Sequence, residues 1–210
     1  MEDTFKVFDI GKWDRKDMYY HFSRLRLPHY MVATNIDVSR LLEYKREHGL
    51  SFYLSLVYLV TKCMNGIEEF HLRVRDGQVV RYKQIETNFT HRKPGERVFL
   101  FHTARFEGSL DEYVKKTSRE IALQTSLFGG MGDLPNVAYC TCTPTLELTA
   151  CTNPGMEDPN DAIPRVNWGK YVMRDGRWML NMSIMANHRF IDGYHLEQFF
   201  NSLQEEINRL

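Results

Sequence analysis

The sequence has no excess of charge of either sign, since 27 Lys and Arg residues balance 27 Asp and Glu residues. It therefore has no global positive field that would attract nucleic acid or an anionic membrane surface. It also lacks an apolar run long enough to cross a bilayer, and its acidic start at residues 1–3 is unlike a secretory signal peptide. We therefore expect a cytoplasmic protein that has neither nucleic acid nor a membrane as partner.

Cysteine is scarce, and its spacing does not fit a metal site. The four cysteines are Cys63, Cys140, Cys142 and Cys151, and no Cys-x-x-Cys or paired-histidine motif typical of zinc accompanies them. We expect reduced thiols and no metal, with Cys63 as a small core residue of an apolar helix. The glycines of 128–132 lack the spacing of a phosphate-binding loop, and they predict a flexible loop instead.

No internal repeat and no Gly/Ser-rich linker divides the 210 residues. The 13 Phe and 11 Tyr residues favour a packed domain with an apolar pocket over a disordered chain. Helical and strand periodicities are mixed along the sequence. We therefore predict one α/β domain that spans residues 1–210.

Periodicity, capping residues and turn residues predict the individual elements. The first predicted helix begins after its N-cap, Asp14. Further helices are predicted for 39–48, ending at Gly49, for 51–65, capped by Ser51, for 110–124, and after Gly193. The predicted strands span 5–10, 30–38, 72–75, 78–82, 88–90, 98–103, 137–148 with a break at Pro144, 166–173 and 177–185. Asp76-Gly77 and Asp175-Gly176 predict type I′ hairpin turns, and 153–164 is a predicted loop.

The stretch from Ala186 to Gly193 is the strongest candidate for chemistry. Alternation from Trp178 onward predicts a strand that ends at His188, and Asp192 follows four residues later, before the last helix. A histidine at a strand end, backed by a carboxylate, can act as a general base. The same pattern fits a buried histidine that only satisfies a hydrogen bond, and the spacing leaves both interpretations open.

Several segments together resemble a known family. His188 to Gly193 matches the H-x-x-x-D-G motif of coenzyme A-dependent acyltransferases. Other segments, in the same order over nearly the whole chain, resemble motifs of the chloramphenicol acetyltransferase family: Trp13-Asp14-Arg15-Lys16, Phe52-Tyr53, Asn65 with Glu69-Phe70, Asp76-Gly77 with Val79-Val80, and Gly169-Lys170-Tyr171. The resemblance implies an α/β two-layer sandwich in which helices cover a mixed β-sheet.

The resemblance also implies a mechanism, namely transfer of an acetyl group from acetyl-CoA to a hydroxyl group. His188 would be the general base, and imidazole is largely in its basic form at neutral pH. Thr141, aligned through Pro144, would donate its hydroxyl to the oxyanion where the family has serine. Asp192 would pair with Arg15 and hold the turn. Without the resemblance, Thr141 is an ordinary strand residue and Arg15 a solvated surface charge.

Five further roles are implied by the resemblance alone. Lys170 and Tyr171 match contacts to coenzyme A, while Tyr30 and Phe99 match the acceptor pocket. Asn167 stands where the family has a threonine near the oxyanion and the substrate. The acceptor would be a small-molecule alcohol, bound at the subunit interfaces of a homotrimer. By themselves these residues are typical of strands and cores.

The sequence departs from the family pattern mainly on the acceptor side. Asn187 replaces a second histidine before the base, Leu54 replaces a proline, Thr145 replaces a tryptophan, and Asn167 replaces a threonine. Acetyl transfer to an alcohol is therefore better supported than chloramphenicol as that alcohol, or than a role in antibiotic resistance.

Two alternatives remain beside this hypothesis. A dihydrolipoyl-type acyltransferase core shares the histidine motif, but it calls for a lipoyl-bearing domain and a flexible linker, and the 210 residues contain neither. A catalytically inactive binding protein on the same fold is the second alternative. The retained His188, Asp192, Arg15 and hydroxyl at position 141 argue against it.

Overall fold

An eight-stranded mixed sheet organises residues 4–155 and 157–210, which are the residues that the computed structural model describes. The acidic start at 1–3, used above against a signal peptide, lies outside them. The helices are α1 Lys16–Phe22, α2 Ser39–His48, α3 Phe52–Asn65, α4 Leu110–Leu123 and α5 Gly193–Asn208. The strands are β1 Phe5–Val7, β2 His29–Asp37, β3 Leu72–Arg75, β4 Gln78–Tyr82, β5 Glu86–His91, β6 Leu100–Ala104, β7 Phe128–Gly130, β8 Val137–Cys142, β9 Arg165–Trp168, β10 Val172–Arg174 and β11 Arg177–Asn187.

Strand β11 is the longest strand of this sheet and has neighbours on both sides. It pairs with β2 along one side and with β9 and β10 along the other. From β9 the sheet continues through β8, β5 and β6 to β7. The β5–β8, β8–β9 and β6–β7 pairs are parallel, while the remaining pairs are antiparallel. Strands β1, β4 and β3 form a separate antiparallel sheet.

One face of the large sheet carries the apolar core. A row of four cross-strand neighbours on this face is at most 2% exposed: Ile184, Val166, Cys140 and Phe89. Helix α3 packs on this side against β5 and β8, and it contacts α2, α4 and α5. Cys63 is buried in α3, as predicted. The predicted class, a mixed sheet covered by helices, is confirmed.

The opposite face carries a row of polar side chains. On each strand, the polar residue is the sequence neighbour of a residue in the core row. Side chains alternate between the faces of a sheet, so the neighbours of the core row point away from the helices. Ser183 pairs with Asn167, and Asn167 pairs with Thr141. The segment before β9 contacts this face, where the Cys151 N–H donates to Ser183 Oγ over 3.0 Å. Position 141 therefore lies on the face that the helices leave free.

Local signals in the sequence placed several boundaries correctly. The Ser51 side chain accepts from the Leu54 N–H at the start of α3, and Gly49 ends α2 in the left-handed conformation with φ of 65°. Both Asp-Gly turns have positive φ at their two central residues: Asp76 50°, Gly77 76°, Asp175 48° and Gly176 78°. Positive φ at both positions is the signature of the predicted type I′ turn.

The predicted start of the first helix is wrong. The Lys16 N–H donates to the Trp13 carbonyl in a turn, so α1 begins at Lys16 with Arg15 as an N-cap that makes no side-chain cap bond. The flexible loop predicted at 128–132 is also wrong. Residues 128–130 form β7, which pairs in parallel with β6, and the Phe128 ring stacks on Phe101 at 5.2 Å.

Several predicted strands are shorter than expected, and the one predicted for 5–10 ends at Val7. The strand predicted for 137–148 ends at Cys142, before Pro144. The strand predicted for 166–173 is divided into β9 and β10, because the chain at Gly169 passes close to the preceding segment. A β-carbon at Gly169 would lie 2.4 Å from the Leu146 carbonyl oxygen, so this approach requires glycine.

Replacing Ser109 tests the start of α4. Its side chain accepts from the Glu112 N–H, while Glu112 reaches back to the Ser109 N–H in a capping box. Ser109→Ala is expected to lower the free energy of unfolding by about 1 kcal/mol, measured by urea denaturation. Ser118→Ala, in the interior of the same helix, is the control and is expected to leave stability unchanged or slightly higher. Equal losses in both variants would contradict the cap.

Candidate active site

His188 directly follows β11, and two aromatic rings hold its imidazole. The backbone N–H of His188 donates to the Pro28 carbonyl over 2.7 Å, which fixes the backbone of His188 beside the start of β2. The Phe22 ring stacks on the imidazole at 3.9 Å and 10°, and the Tyr30 ring stacks at 4.3 Å and 25°. The imidazole is thus held between α1 and β2. Of the two rings, only Tyr30 is among the predicted site residues.

The two nitrogens of His188 have different surroundings. Nδ1 is buried and has no hydrogen-bond partner among the described residues, so Nε2 is the nitrogen available to a substrate. The Tyr30 hydroxyl donates to the Ile191 carbonyl over 3.3 Å. Burial and the nearby Asp192 carboxylate raise the pKa of Tyr30, against the opposing charge of Arg15. Tyr30 is therefore a neutral ring, and an accessible imidazole nitrogen beside it can accept a proton.

Asp192 is paired with Arg15, as the resemblance implied. The Arg15 guanidinium on the α1 side donates to Asp192 Oδ2, with both side chains largely buried. Asp192 also caps α5, where it accepts from the Tyr194 N–H over 3.0 Å. Burial alone would raise the pKa of Asp192, but the charges of Arg15 and His195 hold it below its ordinary value. The carboxylate is thus ionised and ties three elements together at the turn after His188.

His195 and Glu69 extend this charged cluster toward the core. His195 Nδ1 lies 2.8 Å from Asp192 Oδ1, and its Nε2 lies 3.5 Å from Glu69 Oε1. Burial raises the pKa of Glu69, but the hydrogen bond from His195 outweighs it and lowers that pKa. Glu69 belongs to a quoted sequence motif, whereas nothing in the sequence pointed to His195. The cluster anchors the first turn of α5 against the short 3-10 turn at Glu68–His71.

Asn187, the departure next to the base, anchors a loop. Its amide Nδ2 donates to the carbonyls of Pro159 and Asp161 over 2.8 and 3.0 Å. Its Oδ1 accepts from the Arg189 N–H over 3.1 Å. An amide supplies both donors and an acceptor, a combination that an imidazole cannot provide. Asn187 therefore fixes the segment 159–161 beside the base.

Thr141 lines a cavity of about 440 Å³ on the polar face of the sheet. The side chains that line it together with Thr141 include Asn88, Thr90, Phe99 and Asn167. The Thr141 hydroxyl lies 2.8 Å from the Thr90 hydroxyl on β5. Phe99 and Asn167, two of the predicted acceptor residues, are thus in the same cavity as Thr141. Tyr30, the third, does not line it and instead stacks on His188.

Asn167 offers an unused acceptor in this cavity wall. Its amide nitrogen donates to Asn153 Oδ1 and, over 3.4 Å, to the Cys151 carbonyl. Its Oδ1 is buried and has no partner among residues 4–155 and 157–210. A buried acceptor without a partner is costly, so this amide oxygen is an unsatisfied polar atom beside the cavity.

Lys170 and Tyr171 lie between β9 and β10. Lys170 is exposed, and its backbone N–H donates to the Leu146 carbonyl over 2.7 Å. It makes no ion pair with the described part of the chain, so its ammonium group is available to phosphate. The Tyr171 ring packs against Phe52 at 5.1 Å and against Trp178 at 5.5 Å. Neither side chain is among those that line the cavity around Thr141.

His188 and Thr141 do not meet within one chain. Thr141 lies in the row of Ser183, two strands away from β11, while His188 lies five residues beyond Ser183. Strand geometry makes this separation roughly 16 Å along β11 and about 10 Å across the sheet. A base and an oxyanion donor must both lie about 3 Å from one reacting centre. One chain therefore contains the two parts of such a site but does not bring them together.

Comparison with known proteins identifies the family. The family model described as chloramphenicol acetyltransferase matches residues 3–204. The chain belongs to the chloramphenicol acetyltransferase family. It is thus an acyltransferase, and its relatives include the chloramphenicol acetyltransferase of Clostridium perfringens, 24% identical over 96% of this chain and 94% of the relative. The inactive alternative and the lipoyl alternative lack comparable support.

Solved structures agree on the fold. A chloramphenicol acetyltransferase superposes with a TM-score of 0.88, at 23% identity over 97% of this chain and 99% of the other. The dihydrolipoamide acetyltransferase of Azotobacter vinelandii reaches a TM-score of 0.69, at 17% identity over 91% of this chain and 85% of the other. At such identities the likeness shows a shared fold.

The described residues include neither a membrane-spanning helix nor a metal-binding cluster of side chains. No helix there is sufficiently long and apolar to traverse a bilayer. No group of three or more His, Cys, Asp or Glu side chains in the same residues is arranged to bind a metal ion.

Removing Arg15 tests the ion pair that holds the turn. Arg15→Ala is expected to lower the free energy of unfolding by about 1.5–3 kcal/mol, because a largely buried carboxylate loses a charged donor. It is also expected to lower kcat more than it raises KM, since His188 loses its fixed backbone while no reacting group is removed. Urea denaturation and steady-state acetyl transfer measure the two effects.

The stability loss is expected to depend on pH. The folded-state pKa of Asp192 is lowered, so the pair contributes fully above about pH 4 and is lost as the pH falls through the lowered value. Arg26→Ala is the control, since Arg26 pairs with Glu157 at the surface and is expected to cost less than about 1 kcal/mol. A loss in Arg15→Ala that persists undiminished in strong acid would contradict the pairing.

Proposed function

We propose that the protein transfers the acetyl group of acetyl-CoA to a hydroxyl group of a small molecule, with His188 as the general base. The observation that carries the proposal is the held imidazole. Two rings orient it, and the Asp192–Arg15 pair fixes the turn that follows it. Two stacked rings and a largely buried ion pair hold this one imidazole in place. That arrangement supports a chemical role for His188 over a purely structural one.

The proposed reaction has two stages. His188 Nε2 accepts the proton of the substrate hydroxyl while the hydroxyl oxygen attacks the thioester carbonyl carbon. The carbonyl oxygen becomes an oxyanion and accepts a hydrogen bond from the Thr141 hydroxyl. The oxyanion then collapses, the carbon–sulfur bond breaks, and the departing thiolate recovers the proton from His188. A positioned base contributes roughly 10² to 10⁴ in rate, and one oxyanion donor about 10² to 10³.

The proposed site is shared between two copies of the chain. His188 and Thr141 are separated by roughly 16 Å along the sheet in one chain, so one reacting centre can reach both only if the neighbouring copy supplies one of them. A ring of identical contacts gives every copy the same neighbour. A homotrimer, which the sequence resemblance implied, is such a ring.

Lys170 and Tyr171 are the proposed contacts to coenzyme A. Lys170 is exposed and free of ion pairs in the described chain, so its charge is available to a phosphate group. The Tyr171 ring offers an apolar surface beside it. We also propose a cytoplasmic location, because acetyl-CoA and reduced thiols coexist there.

The acceptor that fits the cavity is a neutral alcohol with an aromatic or apolar part. The cavity wall carries amide and hydroxyl groups together with Phe99. Its one charged side chain in the described residues, Arg165, is neutralised by Asp161, whose Oδ2 lies 2.6 Å from Nη2. Chloramphenicol, the substrate that the names of the relatives state, is a neutral aromatic alcohol and is our first candidate. Related alcohols are the second candidate, because Asn167 replaces the threonine that the family has near the substrate.

Loss of His188 is the direct test of the base. His188→Ala is expected to lower thiol release from acetyl-CoA by at least about 10² with every accepted alcohol. Thr141→Val is expected to lower kcat by about 10² to 10³, whereas Thr141→Ser retains the hydroxyl and most of the activity. The measurement is thiol release across a panel of alcohols that includes chloramphenicol.

The outcomes separate the parts of the proposal. Equal thiol release by the wild type and His188→Ala would rule out this base. Turnover of other alcohols but not chloramphenicol would leave the mechanism in place and remove the resistance role. Phe5→Ala, which changes a ring on β1 in the separate small sheet, is the control and is expected to leave kcat unchanged.

A further inference from the structure

We propose that Thr90 is a positioning residue that directs the Thr141 hydroxyl at the oxyanion, an inference that rests on the role proposed for Thr141. The two hydroxyl oxygens lie 2.8 Å apart, and both side chains line the cavity on the polar face of the sheet. The oxyanion donor is thus the Thr141 hydroxyl on β8, oriented by the Thr90 hydroxyl on β5.

The sheet places these two side chains side by side. Strands β5 and β8 run in parallel with Phe89 opposite Cys140, so the next residues, Thr90 and Thr141, are neighbours on the other face. The Tyr53 hydroxyl on α3 reaches the carbonyls of Thr90 and Cys140 over 2.8 and 3.3 Å. Burial keeps the pKa of Tyr53 well above its ordinary value, so this phenol remains a donor and holds both strands at this row.

A count of protons gives the pair its direction. In the described part of the chain, neither threonine hydroxyl has a second hydrogen-bond partner. The two groups carry two protons, of which one lies between the oxygens and one is free. If Thr90 donates, the free proton is on Thr141 and can face the oxyanion. If Thr141 donates, its proton points at Thr90, so Thr141 itself cannot donate to the developing charge.

The charge of the oxyanion selects the first arrangement. A hydroxyl that accepts one hydrogen bond becomes a better donor in the next, because the bonds polarise one another. Donation by Thr90 therefore both orients the Thr141 proton and strengthens its hydrogen bond to the oxyanion. Without the Thr90 hydroxyl, the Thr141 hydroxyl rotates freely among its staggered positions and must be ordered during the reaction.

Thr90→Val tests the inference, since valine keeps the shape and removes the hydroxyl. We expect kcat to fall about tenfold, with the KM values for acetyl-CoA and the alcohol unchanged within about twofold. Thr90→Ser keeps the hydroxyl and is expected to keep kcat. In a double-mutant cycle, Thr90→Val is expected to have no further effect when Thr141 is already valine, because the hydroxyl it directs is gone.

Thr87→Val is the matched control on the same strand. The Thr87 hydroxyl is buried on the helix side and contacts the Ala104 carbonyl and the Tyr113 hydroxyl at 2.9 and 2.6 Å. This variant is expected to lower the melting temperature while kcat stays at the wild-type value. It separates loss of a strand hydroxyl in general from loss of the one beside Thr141.

The results that overturn the inference differ from those that overturn the proposed function. If Thr141→Val loses activity but Thr90→Val keeps the wild-type kcat, the inference fails and the proposed function stands. The inference fails equally if Thr90→Val lowers kcat by the same factor in the Thr141→Val background. Wild-type turnover by Thr141→Val would remove the oxyanion role itself, and this inference with it.

Discussion

The pairing of β11 with β2 on one side and β9 on the other is the constraint on which the rest of the structure depends. It puts alternate residues of β11 in the helix-covered core and on the polar face. The same register places Ser183 beside Asn167 and leaves His188 at the strand end. A slip of one residue would exchange the two faces. The position of His188 and its distance from Thr141 are thus both properties of one ladder of hydrogen bonds.

Charged and amide side chains then fix the chain where the ladder stops. Asp192 caps α5 and pairs with Arg15, while Asn187 secures the segment 159–161. Each is a largely buried polar group that would be costly alone, and each is satisfied by a partner from a different part of the chain. The turn after β11 is rigid because its partners come from distant segments. That anchoring distinguishes His188 from a histidine that only fills a core position.

Local sequence signals were sufficient for most elements but not for the contacts between them. The Asp-Gly turns and the Ser51 cap are decided within a few residues, so their patterns can be read directly. The loop predicted at 128–132 is a strand because Phe128 stacks on Phe101, a contact from another strand. Thr90 could not be singled out for the same reason, since its neighbour depends on strand register. The Arg15–Asp192 pair was anticipated only through the family resemblance.

Subunit complementation tests the shared site most directly. Chains carrying His188→Ala and chains carrying Thr141→Val, each with its own affinity tag, are co-expressed and purified through both tags. The account predicts that these mixed assemblies recover acetyl transfer at about one third of their sites, because in the proposed homotrimer each mixed assembly has one interface with both residues intact. Two differently tagged copies of His188→Ala are the control and should remain inactive. Mixed assemblies no more active than either parent variant would contradict a site built from two chains.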